Sequence, residues 1–240
     1  MSDDILKVGN KIEIDKVSKA DEGYAGSEVY VSQILELDEN GEEITVAMPM
    51  FNGHVVPLAV DQELNVYFYS EKGIFRAKCR VVSRGNQDNI YIMKLKLISE
   101  MKKFQRRQFY RLLCNIEAII RILSDEQVNT YLRTYLPPVV DSEQADIGMI
   151  VDISGGGVRI MTDVKLDVDS CLFITFPIKM NIGDVNIEVL GKVVASIESP
   201  NRENYYDNRI QFKDIDIELR DTIVKYIYEQ QRKIQRRERR

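Results

Sequence analysis

The segment Asp152-Ile153-Ser154-Gly155-Gly156-Gly157-Val158-Arg159-Ile160 indicates the fold of the second half of this chain. Strand-forming residues stand on both sides of three consecutive glycines, which predicts two antiparallel strands joined by a tight turn. We expect Gly155 to Gly157 to turn the backbone with positive φ and to let a planar ring approach closely, because they carry no Cβ atom. The strands on either side are predicted over residues 148–152 and 157–162.

Two polar side chains precede the last glycines of this segment. Asp152 and Ser154 point to the same face, because side chains alternate along a strand with a period of two. The carboxylate can accept hydrogen bonds from the N1–H and the exocyclic amine of guanine, and the hydroxyl can donate or accept. The alternative is a glycine-rich turn in which Asp152 and Ser154 only satisfy nearby backbone groups.

A second motif, Gln105-Arg106-Arg107-Gln108-Phe109-Tyr110-Arg111, lies closer to the N-terminus. Guanidinium groups bind phosphate oxygens and guanine O6 and N7 through paired hydrogen bonds, and their planes stack on bases. The spacing of Arg107 and Arg111 is weak evidence by itself, because arginines four residues apart recur in the chain. The other pairs, which fit solvated strand faces or a solvated helix end, are Arg76/Arg80, Arg80/Arg84, Arg232/Arg236 and Arg236/Arg240.

Residues 10–98 show the alternation and the turn signals of a small, closed or nearly closed β-barrel. Asn40-Gly41 separates two alternating runs and predicts a hairpin, because both residues accept positive φ. A second hairpin is predicted to turn at Glu71-Lys72-Gly73. These signals predict an all-β domain in the first half of the chain.

A cationic segment without strand alternation follows at residues 99–110 and favours a domain junction. We therefore predict a β-barrel domain at residues 1–99, an arginine-rich linker at 100–111 and a second domain at 112–240. Arg107 and Arg111 lie at this junction, which distinguishes them from the other arginine pairs.

The second domain is predicted to consist of strands and a final helix. Asp214 or Asp216 can cap that helix, which has a cationic last turn. Its apolar stripe consists of Ile223, Val224, Ile227 and Ile234. Residues 124–146 are a polar insertion with a loop at Pro137-Pro138, and either an added helix or a partner-binding element fits them.

Composition favours a binding protein. The chain has 240 residues with a net charge of −5, which argues against general nucleic-acid binding. No apolar run approaches the ~20 residues of a membrane span, and no secretory signal is evident. The three cysteines stand far apart without metal or disulfide spacing, which favours a cytoplasmic location. The chain has one histidine, His54, and no catalytic motif, so no enzyme is predicted.

The two motifs together resemble the signatures of the PilZ family, over about residues 103–240. Arg107-x-x-x-Arg111 and Asp152-x-Ser154-x-x-Gly157 occur in the family's order, although Arg209 stands where the family often has glycine. The resemblance implies two small antiparallel β-barrels, the first split-barrel-like as in YcgR-like flagellar brake proteins and the second six-stranded, with a C-terminal α-helix. The implied ligand-binding residues are Arg106, Arg107, Arg111, Asp152, Ser154, Gly156 and Gly157.

The resemblance also implies a function. The expected ligand is cyclic di-GMP, with no catalytic cofactor, and Arg106 is associated in the family with two ligand molecules per chain. The expected output is an interdomain change that regulates motility through flagellar stator or rotor proteins. A ligand-independent PilZ-type scaffold and an RNA-binding β-barrel protein are the alternatives. The sequence does not determine the oligomeric state, the identity of the partner or the order of the basic tail.

Overall fold

The computed structural model describes residues 5–16, 29–38, 41–51, 53–87, 89–138, 145–200 and 202–238. The chain divides into two compact units, Met1–Arg106 and Arg107–Arg240. The division therefore falls inside the segment 100–111 that the sequence predicts as a linker. Each unit is described by itself below.

Unit 1 is an antiparallel sheet. Six of its strands pair in the order β1-β6-β7-β8-β3-β2, and β1 also pairs with β2, so this run of strands returns to its start. The predicted all-β barrel-like domain is thus confirmed. The strands are β1 (Lys11–Lys16), β2 (Val29–Leu37), β3 (Glu43–Ala47), β4 (Met50–Phe51), β5 (His54–Val55), β6 (Glu63–Ser70), β7 (Gly73–Gln87), β8 (Ile90–Leu97) and β9 (Lys102–Lys103).

Both predicted hairpins of unit 1 are present as antiparallel pairs. Strands β2 and β3 pair directly, and Gly41 has a φ of 69°, although Asn40 lies outside the described residues. Strands β6 and β7 pair as far as Ser70 opposite Gly73, where φ is 118°. Residues 99–110, which show no strand alternation in the sequence, contain the short strand β9, which pairs with β7.

Strand β1 shows why alternation alone does not give the environment of a side chain. Ile12 and Ile14 are fully buried in the core of unit 1, as the pattern predicts. Glu13 and Asp15 face the other way, yet they are only 7% and 8% exposed. Buried carboxylates need partners, and those of Glu13 are described with the site below.

Unit 2 contains the predicted six-stranded barrel. Its strands close in the order β10-β11-β12-β15-β14-β13, each pair antiparallel. One apolar core fills it, which includes Ile120, Ile150, Ile160 and Phe176. The elements are β10 (Arg111–Leu123), α1 (Asp125–Thr134), β11 (Asp146–Ser154), β12 (Gly157–Thr162), β13 (Cys171–Met180), β14 (Gly183–Glu198), β15 (Tyr206–Phe212) and α2 (Ile217–Glu238).

The C-terminal helix α2 begins at a carboxylate cap. Asp216 accepts hydrogen bonds from the backbone amides of Glu218 and Leu219, at 2.8 and 3.3 Å, so it is the cap of the two predicted candidates. Ile223 and Ile227 are buried in the barrel core, as predicted. Ile234 is 44% exposed, so the buried stripe ends before the cationic last turn.

The first half of the insertion contains a helix, as one of the two alternatives states. Helix α1 begins at a capping box, in which Ser124 bonds the amide of Gln127 and the Gln127 side chain bonds the amide of Ser124. Val128 and Tyr131 of the helix pack with Phe173 on the barrel in a small separate apolar cluster. Residues 139–144 of the insertion lie outside the described residues.

Candidate functional site

The outer surface of strands β10 to β12 gathers four of the predicted ligand-binding positions, Arg111, Asp152, Ser154 and Gly157. Arg111 lies directly opposite Ser154, and Ser154 lies opposite Gly157. Ile153 belongs to the barrel core, so its neighbours Asp152 and Ser154 face outward. The register of the barrel therefore places Arg111, Ser154 and Asp152 side by side on one face.

Two β-bulges adjoin Asp152. The register shifts between Leu113 and Ile116 on β10, and between Ile150 and Asp152 in the pairing of β11 with β12. Ile150 and Ile153 both reach the core although an even number of residues separates them, because a bulge adds one residue to the strand. The bulge thereby directs Asp152 to the outside of the barrel.

Asp152 is 8% exposed and is held by an arginine on the neighbouring strand. The Nε atom of Arg159 donates to Oδ2 of Asp152 at 2.6 Å, and its Nη1 atom donates to Oδ2 of Asp207 at 2.9 Å. These two hydrogen bonds raise the pKa of Arg159, the one to Asp152 contributing most, and they outweigh the opposing effect of burial. The guanidinium thus stays charged between two carboxylates.

Ser154 makes the local contacts that the alternative hypothesis predicts for it. Its hydroxyl donates to the carbonyl oxygen of Gly157 at 3.1 Å and accepts from the amide of Gly156 at 3.4 Å. A hydroxyl has two lone pairs, so a further donor can still reach this oxygen. The local contacts fix the side chain at the start of the turn.

The expectation of positive φ at Gly155 to Gly157 is wrong, because the positive-φ glycines of the described chain do not include them. Steric contact requires glycine here instead. A Cβ atom on Gly157 would collide with the carbonyl oxygen of Ile210. One on Gly155 would lie 2.7 Å from Cδ1 of Phe109. The close approach of a planar ring is therefore present, and the ring is that of Phe109.

Phe109 fixes the end of the arginine motif on unit 2. Its ring lies against Gly155 and Gly156, and a Cβ atom on Gly155 would also meet Val224 of α2 at 2.9 Å. Because Arg111 pairs with Ser154 just beyond, residues 109–111 run beside the glycine turn. Arg107 and Arg111 are both exposed. Sequence reasoning missed Phe109, although an aromatic residue between the two arginines was the available signal.

Arg106 is placed differently, because it belongs to unit 1. Its Nη1 atom donates to Oε2 of Glu13 at 3.1 Å and to the hydroxyl of Tyr69 at 2.7 Å. Lys11 donates to the other oxygen of Glu13 at 2.8 Å. The structure thus brings together Arg111, Asp152, Ser154, Gly156 and Gly157, and it bonds Arg106 to unit 1. Arg107 is exposed at the start of unit 2.

The pKa values of the groups around Arg106 reflect this network. Burial by itself would raise the pKa of Glu13, but hydrogen bonds from Lys11 and Tyr69 and the charges of Lys11 and Arg106 lower it. Burial and the bond to Glu13 raise the pKa of Tyr69 to about 12. Glu13 is therefore an anion and Tyr69 a neutral phenol at neutral pH.

Three further residues of this face were not singled out from the sequence. Arg159 and Asp207 form the bridge to Asp152, and Leu113, opposite Asp152, is 75% exposed. An exposed leucine beside Arg111 gives the face an apolar area on which a planar base can lie. Arg159 had a detectable signal, since it stands two residues after the glycine turn on the facing strand. Asp207 had none, because 48 positions separate it from Arg159 in the sequence.

Other kinds of site receive no support from the described residues. No group of three or more histidine, cysteine or acidic side chains in this part of the chain could hold a metal ion. Among the described helices, neither has the length and apolar character to cross a membrane. His54 is exposed on the short strand β5.

Comparisons with known proteins cover both units. The family model for the flagellar protein YcgR (PilZNR) matches residues 7–97, and the PilZ domain model matches residues 105–229. The solved structure of the Bacillus subtilis inhibitor of motility (MotI/DgrA) is 16% identical with a TM-score of 0.73, over 94% of this chain and 98% of that one. Escherichia coli YcgR in complex with c-di-GMP is 10% identical with a TM-score of 0.46, over 98% and 90% of the two chains. The search of curated proteins gave no match.

Proposed function

This chain belongs to the PilZ family, and we propose from that premise that it is a cytoplasmic, non-enzymatic receptor for cyclic di-GMP. The observation that carries the proposal is the outward face on which Arg111 lies opposite Ser154, next to Asp152 on the same strand. A carboxylate, a hydroxyl and a guanidinium on one face can satisfy the donor and acceptor pattern of guanine.

Each of these groups has a distinct part in the proposed complex. Asp152 accepts from the N1–H and the exocyclic amine of one guanine, which no other common base offers together. Arg111 and Arg107 donate paired hydrogen bonds to phosphate oxygens or to guanine O6 and N7. Gly156 and Gly157 shape the turn beside the base, because their lack of a side chain leaves room for Phe109 and for the carbonyl oxygen of Ile210.

Arg106 contributes to the binding of a second cyclic di-GMP molecule in this proposal. Two intercalated dinucleotides carry more phosphate charge than one, and a third guanidinium offsets that charge and stacks on a base. Arg106 is bonded to Glu13 and Tyr69 in the structure, so it must exchange those partners for the ligand. The second molecule therefore binds at the cost of a unit 1 ion pair.

The proposed output is control of motility through contact with flagellar stator or rotor proteins. The name of the family matched by unit 1, flagellar protein YcgR, supports this direction. So does the name of the B. subtilis protein, inhibitor of motility, whose fold resembles that of this chain. Binding at the arginine motif would bias the chain toward one of two arrangements of its units, because Arg106 and Arg107 stand on either side of the division between them.

Calorimetric titration of the full chain with cyclic di-GMP tests the proposal, because it gives affinity and stoichiometry together. We expect saturation at two ligand molecules per chain in the parent, and at one, or with a much weaker second step, in Arg106→Leu. Saturation at one molecule in both proteins would remove the role of Arg106. Absence of binding in the parent would remove the receptor function itself.

A ligand-independent scaffold is the second candidate, and one observation favours it. Asp152 and Ser154 already have partners in the structure, Arg159 and Gly157. Both motifs could then be retained to build the barrel surface. The same titration separates the two candidates, since a scaffold gives no heat with cyclic di-GMP at any concentration.

A further inference from the structure

We propose that Arg159 is a positioning residue that sets the base selectivity of the site by orienting the Asp152 carboxylate. The inference rests on the proposed function and extends it to a residue outside both motifs. Arg159 lies on β12, directly opposite Asp152 of β11 in the register. It does not need to touch the ligand to have this effect.

One oxygen of the Asp152 carboxylate is held by Arg159. The hydrogen bond from Nε of Arg159 engages Oδ2 at 2.6 Å. Each carboxylate oxygen has two lone pairs, so Oδ1 and the second lone pair of Oδ2 can accept from a ligand while Arg159 holds Oδ2. Guanine presents two neighbouring donors, and acceptance of both depends on how the carboxylate plane is turned. A rotation about the side-chain torsion would lose one of the two bonds.

The orientation of Arg159 is itself fixed by a second carboxylate. Its Nη1 atom bonds Oδ2 of Asp207 at 2.9 Å, on β15 at the other side of β12. A planar guanidinium that is bonded on two edges cannot turn without breaking one of these bonds. The side chains of Asp207, Arg159 and Asp152 thus link strands β15, β12 and β11, and this link holds the Asp152 carboxylate in one orientation.

The backbone around Asp152 does not fix the orientation of its carboxylate by itself. The pairing of β11 with β12 shifts register between Ile150 and Asp152, so Asp152 lies beside a β-bulge and not within a regular stretch of strand pairing. Without Arg159, the carboxylates of Asp152 and Asp207 would also be left on the same barrel face with no cation between them. Both effects would loosen the carboxylate that selects guanine.

The test compares cyclic di-GMP with cyclic di-AMP, whose adenines lack both donors that Asp152 accepts. We expect the parent to prefer cyclic di-GMP by about a hundredfold or more. In Arg159→Gln we expect this preference to fall by about tenfold, as for the loss of one charge-assisted hydrogen bond. Arg159→Lys should recover part of it. Arg209→Gln, which removes the exposed cation opposite Arg159 on β15, is the matched control and should keep the preference.

A double-mutant cycle distinguishes a residue that orients the Asp152 carboxylate from one that only stabilises the pairing of the barrel strands. If Arg159 acts through Asp152, then Arg159→Gln has no further effect on the preference in an Asp152→Ala background. If Arg159 only stabilises the barrel, Arg159→Gln lowers both affinities by the same factor, and the proposal is overturned. A parent that binds no cyclic di-GMP overturns the receptor function as well. If the parent binds and Arg159→Gln keeps the full preference, only the role of Arg159 is overturned.

Discussion

Two buried carboxylates of this molecule, Glu13 in unit 1 and Asp152 in unit 2, are each bonded to an arginine, and the two pairs differ in how they are built. Arg159 is seven residues from Asp152 in sequence and faces it from the next strand of the closed barrel. Arg106 is 93 residues from Glu13 and stands at the last position of unit 1. The exposed fractions of the two carboxylate residues are nearly equal, at 7% and 8%.

The difference indicates that the Arg159–Asp152 pair can hold a ligand-binding side chain in place, and that Arg106 can exchange Glu13 for a ligand. Arg159 is bonded to Asp152 and Asp207 on the two strands that flank β12, so its side chain can leave only by breaking both bonds. Arg106 is followed at once by Arg107, which we assign to the ligand, so ligand binding at that segment can draw Arg106 away from Glu13. The first pair therefore suits a fixed recognition element, and the second suits a contact that ligand binding replaces.

The largest effect should come from removal of Asp152, and the contrast with removal of Glu13 tests the difference between the two pairs. Asp152→Ala is expected to weaken binding of the first cyclic di-GMP molecule by about 2–4 kcal/mol, because it removes the guanine acceptor and leaves Arg159 with one partner. Glu13→Ala should change that first affinity by less than about 0.5 kcal/mol, since Glu13 is not part of the recognition face. Titration of both variants measures the contrast. Equal losses would show that the two pairs do not differ in function.

The arginines of the motif should have the next largest effect. We expect Arg107→Ala and Arg111→Ala each to weaken cyclic di-GMP binding by about 1.5–3 kcal/mol, because each removes a charge-assisted hydrogen-bond fork. Lys94→Ala, which removes an exposed cation on β8 of unit 1, is the control and should bind as the parent does. Parent-like affinity in both arginine variants would place the ligand elsewhere.

A smaller effect, of opposite sign, is expected at the exchangeable pair. Glu13→Gln should strengthen binding of the second ligand molecule by about 0.5–1 kcal/mol, because Arg106 no longer has to leave an ion pair. Arg106→Leu should weaken the same step. The second step of a calorimetric titration measures both. A weakened second step in Glu13→Gln would mean that Glu13 supports the ligand-bound form of Arg106.

The smallest effect concerns pH. The pKa of Glu13 in the folded chain lies below its ordinary value of 4.5. Its contacts therefore add stability that is complete above that value and that is lost as the pH falls through the folded pKa. We expect the difference in unfolding free energy between parent and Glu13→Gln, about 1 kcal/mol or less at neutral pH, to shrink below pH ~4. Denaturant unfolding at several pH values checks this, and a constant difference would contradict it.

Much of the fold could be predicted because it depends on local patterns. Alternation and glycine turns predicted the hairpin at Gly73 and the strands on either side of Gly155 to Gly157. Helix α1 was left open, although its capping box from Ser124 to Gln127 is visible in the sequence. The polar composition of the insertion and its two prolines gave the opposite signal, and one capping box did not outweigh them.

The rest of the candidate site depends on contacts that no local pattern contains. Asp207 meets Arg159 across 48 residues of sequence, and Glu13 meets Arg106 across 93. The conformation of the glycine turn was predicted wrongly for the same reason. Glycine is required at position 157 by the carbonyl oxygen of Ile210, on another strand, and not by its own φ. Sequence patterns therefore indicated which residues matter, and the register showed how they meet.

The most direct test of the proposed site is an amide chemical-shift titration of the full chain with cyclic di-GMP. We expect the largest shifts at Arg111, Ser154, Gly156 and Gly157, followed by Arg159 on the facing strand. Amides of β8 in unit 1, from Ile90 to Leu97, should shift far less. Saturable binding with unchanged amides at Ser154 to Gly157 would contradict the assignment of the ligand to the outer face of β10 to β12.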